Sequence, residues 1–433
     1  MKRILFIQPP FERLMGYTRF YTHQGLLSLA AVVKSMGNEA MVYDADYNPN
    51  GTEYSPIELL EHYNLYIEEV EHFSSEIWNE IKMVIANYNP THLGITVLSP
   101  TLEICEKIAD VAKKINKNIC IIAGGAHATI AATEMLDWAD YIIRYEGEMV
   151  INDILEGKIK DRVVDGPRIM NLDSLPFPDI ESLYGLDKYE KRDLSLVMST
   201  RGCPYSCKFC ASPLLWKCKT TRKSVAYFVE EMMRMKCKYN INDFYISDDS
   251  FSVHEKWFSQ FCEEVKKADI TWRCLDRVTS ITDKKVKMMQ EAGCRNIKIG
   301  IESGSQRILN SINKKITIDD VYYADEIFQN NSIPWSAFFM IGIPGETEED
   351  IRMTQRLIQK ISASSITLSI FTPYPGNELM NSDNLDYKLY SHHSPNNNFT
   401  GTIPDDIFKG LVLETLHLCE RNYKEHEGAS NEK

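Results

Sequence analysis

The stretch Ser199-Thr200-Arg201-Gly202-Cys203-Pro204-Tyr205-Ser206-Cys207-Lys208-Phe209-Cys210 decides how the rest of the chain is read. It ends a short β-branched and apolar run over 194–199 that reads as a strand, and it places three cysteines in the loop that follows. The chain has 11 cysteines in 433 residues. At that frequency a C-x3-C-x2-C spacing arises by chance in roughly one such chain in a hundred or fewer. Thiolates are soft ligands and suit an iron–sulfur cluster or zinc. For zinc, Cys218 is the available fourth thiolate, although zinc ribbons favour paired C-x2-C knuckles. Three close thiolates without a clear fourth suit a four-iron cubane with one iron left open. The other cysteines stand singly in apolar segments and read as small buried hydrophobes.

Downstream of this loop, strand and helix patterns alternate. Strands are expected over 194–199, 243–247, 271–275, 296–300, 335–341 and 365–371. Six such units cannot close an eight-fold barrel, so an open, partial (β/α)6 barrel of the TIM type is expected over 194–380. The cysteine loop then lies on the face where barrel active sites are built. A C-terminal segment, 381–433, holds one clear helix over 406–423 and a polar tail expected to fray.

Upstream, residues 1–160 also alternate strands (3–8, 40–44, 92–97, 118–123, 141–144) with helical stretches, one of them a long insert between Ser55 and Tyr88. That is the pattern of a parallel sheet covered on both faces. The special residues sit after the strands: Pro10, Ser99, Gly124-Gly125 and Glu146-Gly147. In a doubly wound sheet this edge binds ligands. Residues 161–193 are proline-rich and read as a partly extended linker.

A net charge of -13 argues against a sequence-independent grip on nucleic acid. No apolar run is long enough for a transmembrane helix. The start MKRILFIQPP reads as a strand and not as a signal peptide. Eleven cysteines in a chain with no export signal point to a reducing cytoplasm.

The cysteine motif, Gly300-Ile301-Glu302-Ser303-Gly304, Gly342-Ile343-Pro344-Gly345-Glu346-Thr347 and Pro373-Tyr374-Pro375-Gly376-Asn377 stand in the order found in the radical S-adenosylmethionine (SAM) superfamily. Residues 194–380 resemble that family. The resemblance implies a [4Fe-4S] cluster on Cys203, Cys207 and Cys210, with SAM chelated at the open iron and cleaved to a 5′-deoxyadenosyl radical. It implies SAM contacts from Phe209, Asp248, Asp249, Arg277, Glu302, Gly342 and Pro375. Asp248 and Asp249 stand where many members have Gly-Gly-Glu, which leaves the ligand of the SAM ammonium open. Each position also has an ordinary reading: turn glycines, a helix cap at Glu302, a surface salt bridge at Arg277. Trp335 and Tyr374 could line a substrate cavity or belong to the core.

The N-terminal segments Gly25–Ala30, Gly94-Ile95-Thr96, Gly124-Gly125-Ala126-His127 and Glu146-Gly147-Glu148 resemble the Rossmann-like cobalamin-binding domain of cobalamin-dependent radical SAM enzymes. Pro10, Ser99, Gly124, Gly125, Glu146 and Gly147 are the positions this resemblance places at cobalamin. The D-x-H-x-x-G motif is absent, so a base-off cofactor with no histidine on cobalt is expected, and His23 and His127 default to loop or core. The alternative is a structural domain without the cofactor. The resemblance implies a methyltransferase acting on an unactivated carbon of a biosynthetic intermediate. Rivals are a non-methylating dehydratase, epimerase, cyclase or ring-contraction enzyme, and a tRNA-modifying enzyme that the acidic charge disfavours. A small-molecule or peptide substrate, an electron donor such as flavodoxin or ferredoxin, and a partner protein complete the expectations. No catalytic side chain is assigned.

Overall fold

The computed structural model describes residues 1–17, 20–379 and 385–430. Its first sheet contains β1 (Arg3–Gln8), β2 (Glu39–Asp44), β3 (His92–Thr96), β4 (Cys120–Gly124), β5 (Tyr141–Tyr145) and β6 (Val163–Gly166). All pairings are parallel and the order is β2-β1-β3-β4-β5-β6. Alternation sets Ile4 and Phe6 in one hydrophobic cluster and Leu5 and Ile7 in the other, so both faces are covered. This is the flavodoxin-like order with one added strand, and its switch point lies between β1 and β3.

β6 falls inside the stretch expected to be a linker. Its approach to the site loop depends on Gly166, where a Cβ would lie 1.8 Å from the Glu146 carbonyl oxygen. The rest of that stretch is packed as well. The Leu27 carbonyl accepts from the Asp179 amide (3.1 Å), and the Val42 carbonyl accepts from the Tyr184 amide (2.8 Å). Ile180, Leu183 and Leu194 join the cluster that continues into the second domain. The helical insert is two helices, Pro56–His72 and Ile77–Tyr88. Ser55 opens the first with a capping box and Pro56 at its first turn.

The second sheet runs β7 (Leu196–Val197), β10 (Asp243–Ile246), β11 (Thr271–Asp276), β12 (Cys294–Glu302), β13 (Trp335–Ile341) and β14 (Ser365–Ile370), with neighbours in chain order. β8 (Thr200–Arg201) and β9 (Thr221–Arg222) form a small antiparallel pair beside it. β7 and β14 are opposite edges of the sheet, so the barrel is open. β7 is shorter than expected because Asp248, not a neighbouring strand, takes the amides of Ser199 and Thr200.

The C-terminal helix spans Asp405–Ser430, longer at both ends than expected, and packs Phe408, Leu411, Val412 and Leu416 into the barrel core. The expected boundary at 380/381 and the last tail residues, 431–433, lie outside the described residues. Among the described residues no helix is long and apolar enough to cross a membrane.

Candidate active site

The cysteine loop is fixed from both sides. Gly202 has φ +89°, and a Cβ there would lie 2.2 Å from the Lys219 carbonyl oxygen, so only glycine serves. The Lys208 amide donates to the Ile312 carbonyl (3.0 Å), and the Asn313 side chain donates to the Ser206 carbonyl (2.8 Å). Cys203, Cys207 and Cys210 are all unpaired. Burial raises the Cys203 thiol and pushes the Cys210 thiol up to about 12. Such thiols release their protons when a metal takes its place.

Arg277, which follows β11, is 6% exposed and donates to Cys207 Sγ at 3.7 Å. Its Nε and Nη2 are buried without partners, while the guanidinium lies 4.0 Å from the centre of the Tyr205 ring. A buried cation with spare donors, aimed at the thiols, fits an anionic cluster and a carboxylate bound to it. Among the described residues no three His, Cys, Asp or Glu side chains are placed to hold a metal ion together. The Cys218 thiol donates to the Tyr205 carbonyl at 3.6 Å.

The two aspartates after β10 have separate roles. Asp248 is 0% exposed, and it accepts from the Ser199 amide (2.8 Å), the Thr200 amide (3.0 Å) and the Ser199 hydroxyl. It therefore positions the entry to the cysteine loop, with both carboxylate oxygens engaged by Ser199 and Thr200. Asp249 is accessible, accepts from the Ser212 hydroxyl (3.0 Å), and lies close enough to Cys203 and Cys210 for its charge to raise both thiols.

The later strand ends are occupied by protein partners. Glu302, at φ +77° beside a bulge in β12, accepts from Lys314 Nζ at 2.6 Å in a pair shielded from water. Gly342, at φ +86°, spends its amide on Glu346 Oε2 (2.7 Å) and faces Phe408 and the Asn397 carbonyl. Pro375 is buried, and the next residue, Gly376, lies against Leu214 of the barrel and Ile130 of the first domain. Phe209 packs with Ile308, Ile312, Met340, Ile343 and Phe371. Trp335 is core, stacked on Phe328. Tyr374 and His392 Nε2 share a hydrogen bond of 2.9 Å, and Tyr374 lies near enough to Cys210 to feel its charge. The pair escaped sequence reading because His392 lies in the C-terminal segment.

Between the domains is a cavity of about 350 Å³. Gly94, Gly124, Gly125, Glu146 and Gly147 line one side; Met198, Thr200, Arg201, Trp216 and Tyr227 line the other. A Cβ on Gly124 would find only the Ile143 carbonyl oxygen, at 4.0 Å, so the space beside it is open. Gly125, at φ +101°, abuts Thr96 and Val97. Pro10 and Ser99 do not line the cavity. Ser99 is buried and bonds His127 Nδ1 at 2.9 Å; His127 in turn reaches Glu134 (3.2 Å) and meets the Tyr387 ring edge-on. That loop is covered by the 386–390 segment, whose Lys388 carbonyl accepts from Tyr63 (2.7 Å). His23 caps the helix Gln24–Ser35.

Sequence reading missed the residue that joins the halves. Arg201 donates to Glu146 (2.7 Å) and Glu148 (2.6 Å), both buried carboxylates. One guanidinium thus bridges two buried carboxylates at the junction of the cysteine loop and the glycine-rich edge. The cavity walls are mainly apolar, and beside Gly124 the wall is bare backbone against which a ligand can pack closely.

Comparison with known proteins places these two sites in one family. The family model of the radical SAM superfamily matches residues 197–358, and that of the B12 binding domain matches residues 20–155. An uncharacterized methyltransferase of Pyrococcus horikoshii is 29% identical over 70% of this chain and 71% of its own length. An anaerobic magnesium-protoporphyrin IX monomethyl ester cyclase of Rubrivivax gelatinosus is 25% identical over 80% of this chain and 68% of its own. The fold is shared with the radical SAM methyltransferase TsrM of Kitasatospora setae (TM-score 0.68, 14% identity, 88% of this chain and 75% of that one). The chain belongs to the radical SAM superfamily, in the group with a B12 binding domain ahead of the barrel, and is an enzyme of the [4Fe-4S] cluster, SAM and cobalamin.

Proposed function

We propose that this enzyme is a cobalamin-dependent methyltransferase that acts on an unactivated carbon of a small biosynthetic intermediate. The observation that carries the reading is the shared cavity: the glycine-rich edge of the first domain faces Thr200 and Arg201, immediately before Cys203. Two cofactor edges that face each other suit a reaction needing both. When bound, the cluster and cobalamin supply reductive cleavage of SAM and carriage of a methyl group.

The protein's part is binding, orientation and exclusion of water. Cys203, Cys207 and Cys210 hold the cluster. Arg277 offers its spare Nη2 to the SAM carboxylate, and Asp249 offers a carboxylate to the SAM ammonium. Gly124, Gly125, Glu146 and Gly147 form the cobalamin edge. Leu26, Leu29, Ile122, Ile143 and Leu175 keep that cavity apolar. An external donor such as flavodoxin or ferredoxin supplies the electron.

The cyclase relative supports a second reading, in which the same radical drives a rearrangement without methylation. The two differ in stoichiometry. Anaerobic enzyme, reconstituted with iron, sulfide and cobalamin, is incubated with SAM, a low-potential reductant and a cell metabolite extract. Methyl transfer should release one S-adenosylhomocysteine and one 5′-deoxyadenosine per product gaining one methyl group. Extract-dependent 5′-deoxyadenosine without matching S-adenosylhomocysteine would reject methylation in favour of rearrangement.

A further inference from the structure

The outward faces of β11 and β12 are apolar: Trp272, Cys274, Ile297, Ile299 and Ile301 are buried in the core cluster. Alternation therefore turns Arg273 and Lys298 to the concave face. Ring contact confirms the direction, because Lys298 Nζ lies 4.5 Å from the centre of the Tyr245 ring on β10, across the intervening β11. Two long side chains two strands apart therefore lean together on this face of the sheet.

We infer that the barrel lumen is an oxyanion subsite, in which Lys298, assisted by Arg273, holds a carboxylate or phosphate of the substrate. The Lys298 ammonium is half-buried and has no hydrogen bond or ion pair to any described residue. Burial, and after it the charges of Arg273 and Arg192, lower its pKa to about 8. Arg273 bonds Asp243 through Nη2, but its Nε is buried without a partner. Arg192 is paired with Glu53 at 3.2 Å. A lumen cation with no carboxylate of its own calls for an anion from outside.

The position suits a substrate and not SAM. Lys298 precedes Glu302 by four residues on β12, which at the rise of a strand sets it about 13 Å below the cluster end of the lumen. An elongated molecule anchored there by its anionic end would present its far end to the radical. The inward positions of β13 are Ser336, Phe338 and Met340, and those of β14 are Ser365, Thr367 and Ser369, a wall of mixed polarity suited to a metabolite with both apolar and polar parts. This inference specifies the substrate class for the reading above and rests on it.

Pyridoxal 5′-phosphate tests the subsite without knowledge of the substrate, because its aldehyde traps a neutral amine while its phosphate seeks an anion site. Reconstituted holoenzyme with SAM is treated with pyridoxal 5′-phosphate or with pyridoxal, reduced with borohydride, and mapped by peptide mass spectrometry. Lys298 should be labelled roughly tenfold faster by the phosphate form, the ratio given by about 1.4 kcal/mol of preference. Protection by inorganic phosphate marks a phosphate site, and stronger protection by succinate marks a carboxylate site. Equal labelling by both aldehydes, no labelling of Lys298, or no protection by either anion would overturn the proposal. None of these readouts depends on methyl transfer, so the subsite can fail while the methyltransferase reading stands, and the reverse.

Discussion

At the scale of single residues, burial decides which groups are chemistry and which are scaffold. Replacing Cys203, Cys207 or Cys210 by Ala should abolish the broad visible absorption and most of the bound iron. Cys218→Ala should retain about four irons per chain. Iron and sulfide analysis of the four variants checks this, and iron loss in Cys218→Ala would make that thiol a ligand. Glu346 offers a pH test. It is 0% exposed, and burial pushes its carboxyl up to about 8, against the opposing effect of the amides of Gly342 and Ile343. In the unfolded chain it ionises near the ordinary carboxylate value. Between that value and about pH 8 the folded protein binds the extra proton, so stability falls as pH rises through this window. Glu346→Gln should flatten that part of the decline, read from thermal midpoints between pH 5 and 8.

At the scale of elements, the turns after β4 and β10 show how adjacent residues divide their work. The open space beside Gly124 and the crowded left-handed turn at Gly125 predict different outcomes for similar substitutions. Gly124→Leu should fill the cavity and lower cobalamin content at least several-fold, with iron content and thermal midpoint nearly unchanged. Gly125→Leu should destabilise the domain itself, by about 1–3 kcal/mol, because its φ and its neighbours both resist a side chain. Cobalamin absorbance, iron analysis and melting of the two purified variants separate these effects. Equal behaviour of the pair would mean that the cavity does not take the cofactor. Asp248 and Asp249 divide in the same manner after β10, one turned into the protein and the other toward the thiols.

At the scale of the whole molecule, the segment 386–400 ties the C-terminal end of the barrel to the first domain. Lys388 pairs with Glu103 at 2.9 Å, Tyr387 covers His127, and Tyr374 meets His392. The buried Asn397 side chain fastens the segment, donating to Phe371 O (3.0 Å), Thr372 Oγ1 (3.1 Å) and Ser391 O (2.6 Å). Asn397→Ala should remove these three bonds, although Ser391 O keeps the Ser394 amide, and cost the segment about 1–3 kcal/mol of local stability. Hydrogen exchange should then accelerate over 386–400 while β11–β13 keep their protection. Unchanged exchange in the segment would assign its hold to the other contacts.

The sequence by itself determined the two parallel sheets and singled out the three cysteines of one loop. Period-two and period-3.6 patterns are local, and the three cysteines lie within one loop, so neither depends on distant chain. It also marked Gly124, Gly125, Glu146 and Gly147, because turns after parallel strands collect on one edge of a sheet. Only the tertiary structure decided which partner each polar group meets. Asp248 was spent on the 199–200 loop, Glu302 on Lys314 and the Gly342 amide on Glu346. Pro10 and Ser99 fell outside the cavity, with 386–390 laid over the Ser99 loop. Val163–Gly166 became a strand because β5 offered an edge and Gly166 allowed the approach. Arg201 could not be assigned beforehand, since its carboxylates arrive from a loop more than fifty residues away. A charge reads the same in sequence whether it faces water, a ligand or a buried counter-ion. Which of these it meets is fixed when long-range packing closes around it.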